Sequence, residues 1–282
     1  MNNGIIPVNK PQDWTSFDVV NKIKHLLKIK KVGHLGTLDP MATGVLLVTV
    51  NKATKLFDLM QEKKKTYIAK FEFGYSTDTL DATGKIEQQT DNLPSIEMLN
   101  SIKADFIGEI DQIPPKYSAK SINGKRAYVL ARQNIEFEIS AKKVKIYDID
   151  FIEYKHNVLT LKIVCGSGTY IRSLCRDIAK KVNSLATMTG LVRTDVGNFN
   201  IKNCIDINKL TSDNIKEFII KEDEVLNLPK LKLKKTEINK ILNGQTLTIN
   251  KESGLYLLKE ENNTIAIVKI DNNKAKMSIF LN

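Results

Sequence analysis

A short glycine-containing segment carries the residues best suited to chemistry in this chain of 282 residues. Asp39 is the only carboxylate between Gly33 and Gly44, and His34 lies near the start of the segment. Glycines let the backbone approach a ligand closely, and loops on a rigid scaffold often carry functional side chains. Such a segment would present the side chains of Asp39 and His34 to a ligand, between a helix and a buried strand. The same residues also fit a plain Asp-Pro turn, and an isolated histidine is more often a satisfied surface residue than a catalyst.

Arginine is rare in this chain, so each arginine is informative. Five arginines stand against 38 lysines, and all five lie between Arg126 and Arg193. Arg172 falls about one turn into a helix predicted to begin near Thr169, where the helix dipole disfavours a cation by up to ~1 kcal/mol. A carboxylate partner would offset this cost and would keep the acid ionised and oriented. An exposed arginine, or one bonded to some other acid, is the alternative.

Two tyrosines and the rest of the scaffold can be placed from periodicity. Tyr67 and Tyr170 stand at the starts of a strand and a helix, where aromatic side chains usually pack in the core. The first helix is expected to be capped by Thr15 or Ser16, to place Phe17, Val20, Ile23 and Leu27 on one face, and to end with Lys28, Lys30 and Lys31 in its last turn. Strands are predicted over residues 5–8, 45–50, 66–73, 144–154 and 158–164, and further helices over 93–106, 125–132 and from about 169.

The order of these elements predicts the fold class. Strands and helices interleave without a regular βαβ repeat, which favours an α+β fold with a mixed or antiparallel sheet over a doubly wound one. After Pro229 the chain becomes a series of short strand-like runs separated by turns. We therefore predict a main domain over residues 1–228 and a small β domain over 229–282. The alternative is that these last strands extend the edge of the main sheet.

Composition excludes several classes of protein and cofactor. Hydrophobic residues make up 42% and charged residues 27% of the chain, which is ordinary for a folded globular protein. No run approaches the ~20 apolar residues of a membrane span, so we expect a cytoplasmic protein. Cys165, Cys175 and Cys204 fit no disulfide or zinc pattern and are expected to be buried, reduced thiols. Because metal-ligand spacings and phosphate-binding glycine motifs are missing, no metal or other cofactor is expected.

The net charge of +11 and the pI near 9.3 indicate a partner that is a polyanion. The excess lies at the two ends: residues 1–65 hold 11 lysines and 5 acids, and residues 229–282 hold 10 lysines and 5 acids. A nucleic-acid surface explains this distribution. A generally lysine-rich composition is the plainer explanation.

The segment from Gly33 to Gly44 resembles the catalytic loop of the bacterial tRNA pseudouridine synthase B family. Further segments of this chain resemble the other motifs of that family, in the same order: residues 9–11, 65–67, 76–84, 113–119 and 168–172. The resemblance spans residues ~5 to ~195. It implies a pseudouridine synthase fold, with a mixed, mainly antiparallel sheet flanked by helices, and a small C-terminal β domain of the PUA type.

The resemblance also implies roles for particular residues. Asp39 would be the nucleophile, and Arg172 would pair with it and keep it ionised. Tyr67 would stack on the target base and is the candidate general base, a role that needs a lowered pKa. Tyr170 and Leu191 would line the uracil pocket.

The remaining implications concern the RNA. His34 would fill the space that the flipped nucleotide leaves in the RNA loop, and Lys10 of the Lys-Pro motif is counted among the substrate-binding residues. The implied partner is the T-stem-loop of tRNA, whose uridine 55 is flipped out and isomerised. Neither a cofactor nor a membrane is involved, and we expect a monomer.

Two other functions compete with this interpretation. A non-catalytic RNA-binding or folding-assistance protein would account for the basic ends and the terminal β domain, although it leaves Asp39 and Arg172 without a task. A retaining glycosidase would also use an aspartate nucleophile. Such an enzyme normally needs a second carboxylate ~5 Å away, and residues 33–44 supply none.

Overall fold

The structure is a computed structural model that describes residues 3–61, 63–118, 120–122, 124–133, 135–261 and 263–281. Ala119, the last residue of the 113–119 motif, lies outside the described residues. The helices within them are α1 (Ser16–Leu27), α2 (Phe57–Gln61), α3 (Ile96–Ile102), α4 (Ala127–Arg132), α5 (Ile171–Lys181), α6 (Glu222–Leu226) and α7 (Lys235–Leu242).

The strands of the described residues form two main sheets and two short hairpins. In chain order they are β1 (Gly4–Lys10), β2 (Val32–His34), β3 (Thr43–Val50), β4 (Lys65–Phe73), β5 (Tyr75–Thr77), β6 (Ile86–Gln89), β7 (Gly108–Gln112), β8 (Ser121–Ile122), β9 (Lys125–Arg126), β10 (Lys142–Lys155), β11 (Val158–Cys165), β12 (Ala186–Val196), β13 (Phe199–Asn200), β14 (Ile205–Asp206), β15 (Lys230–Lys232), β16 (Leu247–Thr248), β17 (Gly254–Glu260), β18 (Asn263–Asp271) and β19 (Lys274–Phe280).

The large sheet is mixed and mainly antiparallel, so the predicted α+β class is confirmed. Its order is β14-β1-β3-β12-β4-β11-β10-β7, with β13 on β12 and β2 on β3. Within this sheet, and among the described residues, only the β1–β14 and β3–β12 pairs are parallel. Alternate residues of β4 are buried, beginning with Lys65, and those from Tyr67 to Phe73 lie in one core cluster with residues of α5. The centre of the sheet thereby brings β3, β12 and β4 side by side.

The last strands form a sheet of their own in the order β15-β17-β18-β19-β16, so the alternative that they extend the main sheet is wrong. A separate core that includes Ile241 and Leu258 lies on this second sheet. Leu257, Ile267 and Leu281 instead pack in one cluster with Ile5 and Leu47 of the main sheet. The C-terminal β domain therefore shares a core with the rest of the chain, and the division at 228/229 stays a prediction.

Three predictions about the helices need correction. Phe17 is 65% exposed, whereas Val19, Val20 and Ile23 form the buried face of α1. Lys28 is the C-cap, with φ 52°, so Lys30 and Lys31 follow the helix instead of lying in its last turn. The third helix gives way after Ile102 to a 3₁₀ turn over Lys103–Phe106.

The three cysteines are free thiols. Cys165 and Cys175 are buried free thiols, and Cys204 is half-buried. Burial raises the pKa of Cys165 to about 11. Within the described part of the chain, no helix has the length and apolar character needed to cross a bilayer.

Candidate active site

The carboxylate of Asp39 and the guanidinium of Arg172 form a two-pronged ion pair. Arg172 Nε lies 2.9 Å from Asp39 Oδ2, and Arg172 Nη2 donates to Asp39 Oδ1 at 2.9 Å. The side chain of Asp39 is 30% exposed and that of Arg172 only 7%. The pairing expected from the helix-dipole argument is therefore present, with the acid facing solvent and the guanidinium beneath it. Such fork geometry fixes the orientation of a carboxylate as well as its charge.

Further acceptors satisfy the remaining donors of Arg172. Its Nη1 lies 3.3 Å from Asp81 Oδ2 and donates to the carbonyl of Thr79 at 3.1 Å, while Nη2 also donates to the carbonyl of Tyr117 at 3.1 Å. Arg172 is the second residue of α5, which begins at Ile171 and not near Thr169. Its charge thus sits in the first turn, and two carboxylates offset the unfavourable helix dipole.

Asp81 is a second acid beside Arg172, buried and not singled out from the sequence. One of its oxygens accepts from the Thr79 hydroxyl at 2.8 Å, from the Thr83 amide at 3.1 Å and from the Thr83 hydroxyl. The other oxygen faces Arg172, and the residue is 4% exposed. Both oxygens of this buried carboxylate are engaged by donors of the protein, so neither is open to a substrate. Asp81 therefore does not supply the acid/base carboxylate that a retaining glycosidase needs.

The pKa of Asp39 is raised above its ordinary value. Burial of the carboxylate raises this pKa, the Arg172 guanidinium lowers it, and the nearby charge of Asp81 raises it again. The Arg172 guanidinium favours the ionised carboxylate, as expected, but burial has the larger effect on this pKa. The ion pair with Arg172 offsets part, but not all, of the free energy that burying the Asp39 charge costs.

Arg193 holds the loop that carries Asp39. It is 2% exposed. Its Nε donates to the carbonyl of Val45 at 2.7 Å, Nη2 to that of Gly36 at 3.2 Å and Nη1 to that of Thr37 at 3.3 Å. A Cβ at Gly44, where φ is +110°, would lie 2.2 Å from the Arg193 carbonyl oxygen, so only glycine allows this approach. Sequence reasoning missed this role, although the scarcity of arginine had marked the residue as unusual.

Lys10 holds the same loop from the other side of Asp39. Its Nζ donates to the carbonyls of Pro11 at 2.8 Å, Trp14 at 2.6 Å and Pro40 at 3.1 Å, and the residue is fully buried. These three bonds use all three donors of the ammonium group. Burial lowers the pKa of Lys10 to about 8. The substrate-binding role expected for Lys10 does not fit this position; its contacts are those of a structural residue.

The residues next to Asp39 are fixed as well. Ser16 Oγ accepts from the Leu38 amide at 2.9 Å and donates to the Leu38 carbonyl at 3.2 Å. The carbonyl of Asp39 itself accepts from the Ala42 amide at 3.0 Å. Every carbonyl from Gly36 to Pro40 thus has a hydrogen-bond donor. The carboxylate is presented by a backbone with little freedom to move.

Tyr67 lies in one core cluster with Leu38, Ile171 and Leu191. It is 8% exposed, which agrees with the packing interpretation of its residue type. Burial raises the pKa of Tyr67, and the nearby Arg193 guanidinium lowers it by less. The direction is opposite to what a general base requires.

The other two residues expected to line the uracil pocket, Leu191 and Tyr170, differ in burial. Leu191 is 8% exposed and lies opposite Ala69 on the neighbouring strand. Tyr170 is half-buried at the N-cap of α5. Its amide donates to Gln112 Oε1 at 2.8 Å and its carbonyl accepts from Gln112 Nε2 at 3.1 Å. Gln112 was not predicted.

His34 belongs to β2, opposite Val48, and is half-buried. Burial and the nearby Arg193 lower its pKa, so the imidazole is neutral at pH 7. Its Nδ1 is buried without a hydrogen-bond partner among the described residues. The structure thus brings Asp39 and Arg172 into contact, with Tyr67 and Leu191 in the adjoining cluster. His34 and Lys10 lie on the elements that flank the loop.

Comparison with solved structures shows that the whole chain shares one known fold. A chain of a Cbf5–Nop10–Gar1 complex matches with a TM-score of 0.71 and 25% identity, covering 99% of this chain and 84% of that one. A chain of an H/ACA RNP bound to a substrate RNA containing 2′-deoxyuridine matches with a TM-score of 0.70 at 23% identity, covering 99% of this chain and 85% of that one.

The fold and the family comparison together define a pseudouridine synthase, which is an isomerase. The model of the family described as TruB family pseudouridylate synthase (N terminal domain) matches residues 24–171, and the chain belongs to this family.

Similar proteins from several bacteria bear one name, tRNA pseudouridine synthase B. The protein of Clostridium kluyveri is 43% identical over 274 residues, covering 96% of this chain and 93% of its own. Those of Borreliella afzelii and Clostridium tetani are 39% identical over 285 residues and 47% identical over 227 residues. They cover 99% and 80% of this chain, and 100% and 78% of their own lengths.

Proposed function

We propose that this chain converts the uridine at position 55, in the T-loop of tRNA, to pseudouridine with Asp39 as the nucleophile. The observation that carries the proposal is the partly exposed Asp39 carboxylate held by two hydrogen bonds from the buried Arg172. The name shared by the similar bacterial proteins supports a tRNA substrate. The likeness to a structure that holds a substrate RNA agrees with it.

The reaction needs no bound cofactor in its balance of atoms. The N1–C1′ bond of the uridine breaks, the freed uracil turns, and a bond forms between C5 and C1′. The proton on C5 leaves and N1 gains a proton, so the product is an isomer of the substrate. In this proposal the Asp39 carboxylate forms a transient bond to the nucleotide while the N1–C1′ bond is broken, and this bond breaks again when C5 joins C1′, which regenerates the carboxylate. Arg172 favours the charged form of the carboxylate and orients it.

A uridine inside a folded RNA loop cannot reach Asp39 unless it is flipped out, at a cost of a few kcal/mol. We assign Tyr67 to stacking on the flipped base and Leu191 to the apolar wall beside it, since both belong to the cluster next to the ion pair. Tyr170 is proposed to contact the flipped base. His34 is proposed to fill the space that this base leaves in the RNA loop. Lys10 is left out of the substrate contacts because its donors are occupied.

The basic ends and the C-terminal β domain are proposed to hold the RNA by its phosphates. RNA stems are recognised mainly through shape and backbone, with bases identified where they are splayed out. The C-terminal sheet carries exposed lysines, of which Lys269, Lys274 and Lys276 line one cavity. We propose that residues 229–282 form a PUA-like RNA-binding domain.

Tritium release from a T-stem-loop transcript labelled at C5 of uridine tests the proposed function. Each C5 tritium that leaves reports one C5–C1′ bond formed. We expect stoichiometric release from a transcript that contains uridine 55 and none from a matched transcript with cytidine at that position and label elsewhere. Equal release from both transcripts would refute the site assignment, and no release from either would refute the activity.

A further inference from the structure

One side of helix α1 carries an exposed aromatic ring and two exposed lysines. Phe17, Asn21, Lys24 and Lys28 are spaced four, three and four residues apart, so they lie in one row along the helix. Phe17 is 65% exposed, and no other large hydrophobic side chain of the described residues is as exposed. Lys24 and Lys28 are exposed as well. We call these four residues the α1 patch.

The start of α1 is stabilised without the Phe17 ring. Thr15 is the N-cap and forms a capping box with Asp18. A hydrophobic contact at a helix start joins the residue before the N-cap to the fourth residue of the helix, which here are Trp14 and Val19. Phe17 is the second residue of the helix and takes part in neither device, so its ring is left free to contact a ligand.

Helices α1 and α5 pack against the same face of the main sheet. Gly44 and Tyr67 both pair with Arg193 of β12, so they share one face. Leu46 has the same orientation as Gly44, two positions earlier on β3, and packs against α1. Tyr67 packs in one cluster with the start of α5. The ion pair at the start of α5 therefore lies on the face that carries α1.

The patch lies on the side of α1 that faces α5. The crossover from β11 through α5 to the parallel strand β12 is right-handed. Seen from the helix face with β1 pointing up, β14 is then on the left and β11 on the right. α1 runs down from the loop of Asp39, because it ends before Val32, which pairs with Val50 beside the start of β1. Its right-handed winding, ~100° per residue, places Phe17 and Lys24 to the right of the buried row.

Residues of the candidate site border this side of α1. The strand β2 lies beside β3 on the side away from β1, and His34 shares the face of Val48, which packs against α1. At the start of the helix, Ser16 is bonded to the amide and the carbonyl of Leu38, the residue before the acid. Phe17 follows Ser16. Nucleotides next to one that reaches the ion pair would therefore lie along the row that begins at Phe17.

The charge of the patch complements RNA. Asp18 is the only acid of α1, and its carboxylate is occupied by the amide of Thr15 at 2.8 Å and the hydroxyl of Thr15 at 2.6 Å. Within the described residues, no salt bridge engages Lys24 or Lys28. Solvated lysines bind phosphates, and exposed aromatic rings stack on unpaired bases of RNA loops.

We infer that the α1 patch binds the RNA substrate beside the flipped nucleotide, with the Phe17 ring stacked on an unpaired base and Lys24 and Lys28 on the phosphates that follow. The inference rests on the proposed function for the identity of the RNA. It adds a contact on the helix face of the main sheet, whereas the C-terminal sheet packs against Leu47 on the opposite face.

Salt dependence of RNA binding tests the part of the two lysines. We would measure the affinity of the full-length protein for a T-stem-loop transcript from 50 to 300 mM KCl, for the parent and for Lys24→Gln/Lys28→Gln. Losing two phosphate contacts should make the slope of log K against log salt shallower by about 1.4–1.8, and should weaken binding at 100 mM salt roughly tenfold.

The matched control removes two exposed lysines from the opposite face of the same sheet. Lys162 pairs with Ile68, and Lys70 lies two residues further along β4, so both alternate with the cluster of Tyr67. Lys70→Gln/Lys162→Gln makes the same charge change and should keep the parent slope within about 0.3. A patch variant with the slope of this control would overturn the phosphate contacts.

The stacking of Phe17 predicts a different signature. Phe17→Ser should weaken RNA binding fivefold or more and leave the salt slope at the parent value, because no charge is removed. Phe17→Trp keeps an aromatic face and should bind within twofold of the parent. Ile152→Ser, at a side chain of β10 that is 54% exposed, is the control and should also bind within twofold. Parent-like binding by Phe17→Ser, or equal losses in Phe17→Ser and Phe17→Trp, would overturn the stacking.

Two further measurements separate RNA binding from folding and from self-association. Urea unfolding of Phe17→Ser should have the parent midpoint, since the ring is exposed, and a lower midpoint would assign the ring to folding. Sedimentation without RNA should give the same species for the parent and Phe17→Ser. A parent dimer that this variant dissociates would show that a second copy of the chain covers the patch, and would overturn the inference.

These outcomes are distinguishable from failure of the proposed function. If the parent protein releases no tritium from the transcript, the activity assignment fails while affinities and salt slopes still report binding. If the parent releases tritium and the patch variants bind as the parent does, the α1 patch inference alone fails.

Discussion

Lys10 is buried beneath the loop of Asp39 and donates a hydrogen bond to the carbonyl of Pro40, the residue that follows the acid, at 3.1 Å. Arg193 bonds the carbonyls of Gly36 and Thr37 on the preceding side. Two buried cations therefore fix the backbone while Arg172 fixes the carboxylate. Such rigidity matters because an error of 1 Å in the position of a reacting group can cost ~100-fold in rate.

Arg172→Lys should lose about a hundredfold in single-turnover rate with little change in RNA affinity. A lysine ammonium is a point charge and cannot make both hydrogen bonds to Asp39 while it also serves Asp81 and two carbonyls. Rapid-quench measurement of pseudouridine formation at saturating RNA checks this. A loss below threefold would show that the two-pronged contact is dispensable.

The acidic limb of the pH–rate profile should report Asp39. The nucleophile must be ionised, and burial raises its pKa, so activity should fall at a midpoint above the ordinary aspartate value of ~3.9 as the pH is lowered. Removing the cation in Arg172→Gln removes an influence that lowers the pKa, so the midpoint should move to higher pH. Single-turnover rates between pH 4.5 and 8 measure both midpoints.

The surface variant Lys103→Gln provides the control for that profile and should keep the parent midpoint. An Arg172→Gln midpoint equal to or below that of the parent would contradict the assignment of the limb to Asp39.

Arg193→Met should lower the free energy of unfolding by roughly 2–4 kcal/mol, because three buried carbonyls lose their donor. Arg193→Lys can restore one or two of these bonds and should recover part of the loss. The single-turnover rate should be lowest for Arg193→Met and intermediate for Arg193→Lys. RNA affinity, measured where both variants are folded, should stay near that of the parent. Urea unfolding and rate measurements on both variants make the check, and a fully stable, fully active Arg193→Met protein would rule out the bracing role.

Lys10 should make stability depend on pH in the alkaline range. Its folded-state pKa is lowered to about 8 from an ordinary 10.5, so between these values the unfolded chain holds a proton that the folded chain has lost. Stability due to this group therefore rises as the pH goes from about 8 to 10.5. Comparing urea unfolding of the parent and Lys10→Met across that range should reveal this increment only in the parent, whereas parallel pH profiles would contradict the burial of the charge.

Sequence reasoning could predict features that depend on local pattern. The strand of Tyr67 followed from periodicity. The helix dipole favoured a carboxylate partner for Arg172 without identifying it, and the resemblance to the pseudouridine synthase B family implied that the partner is Asp39. The α+β class followed from the order of the elements. The C-terminal strands were also predicted from local alternation, and the structure adds that their sheet buries Leu257 against the main core.

Features that depend on contacts between distant segments could not be predicted in this way. Asp81 meets Arg172 across 91 residues of sequence, and no local pattern announces it. Lys10 was counted among the substrate-binding residues because of the resemblance of residues 9–11 to the Lys-Pro motif of the family. Its ammonium group is instead buried and bonded to three carbonyls from two separate segments. The helix α5 starts at Ile171, two residues after the predicted start. Gly168 has φ +77°, and Gln112 binds the amide and the carbonyl of Tyr170, so the residues before Ile171 are held outside the helix.

The most direct test of the account is single-turnover pseudouridine formation by Asp39→Asn, measured together with its affinity for the same T-stem-loop transcript. Asparagine keeps the size of the side chain and an oxygen for Arg172 but removes the nucleophilic charge. We expect RNA affinity within about threefold of the parent and no detectable product. Product formation within tenfold of the parent rate would contradict the nucleophilic role of Asp39.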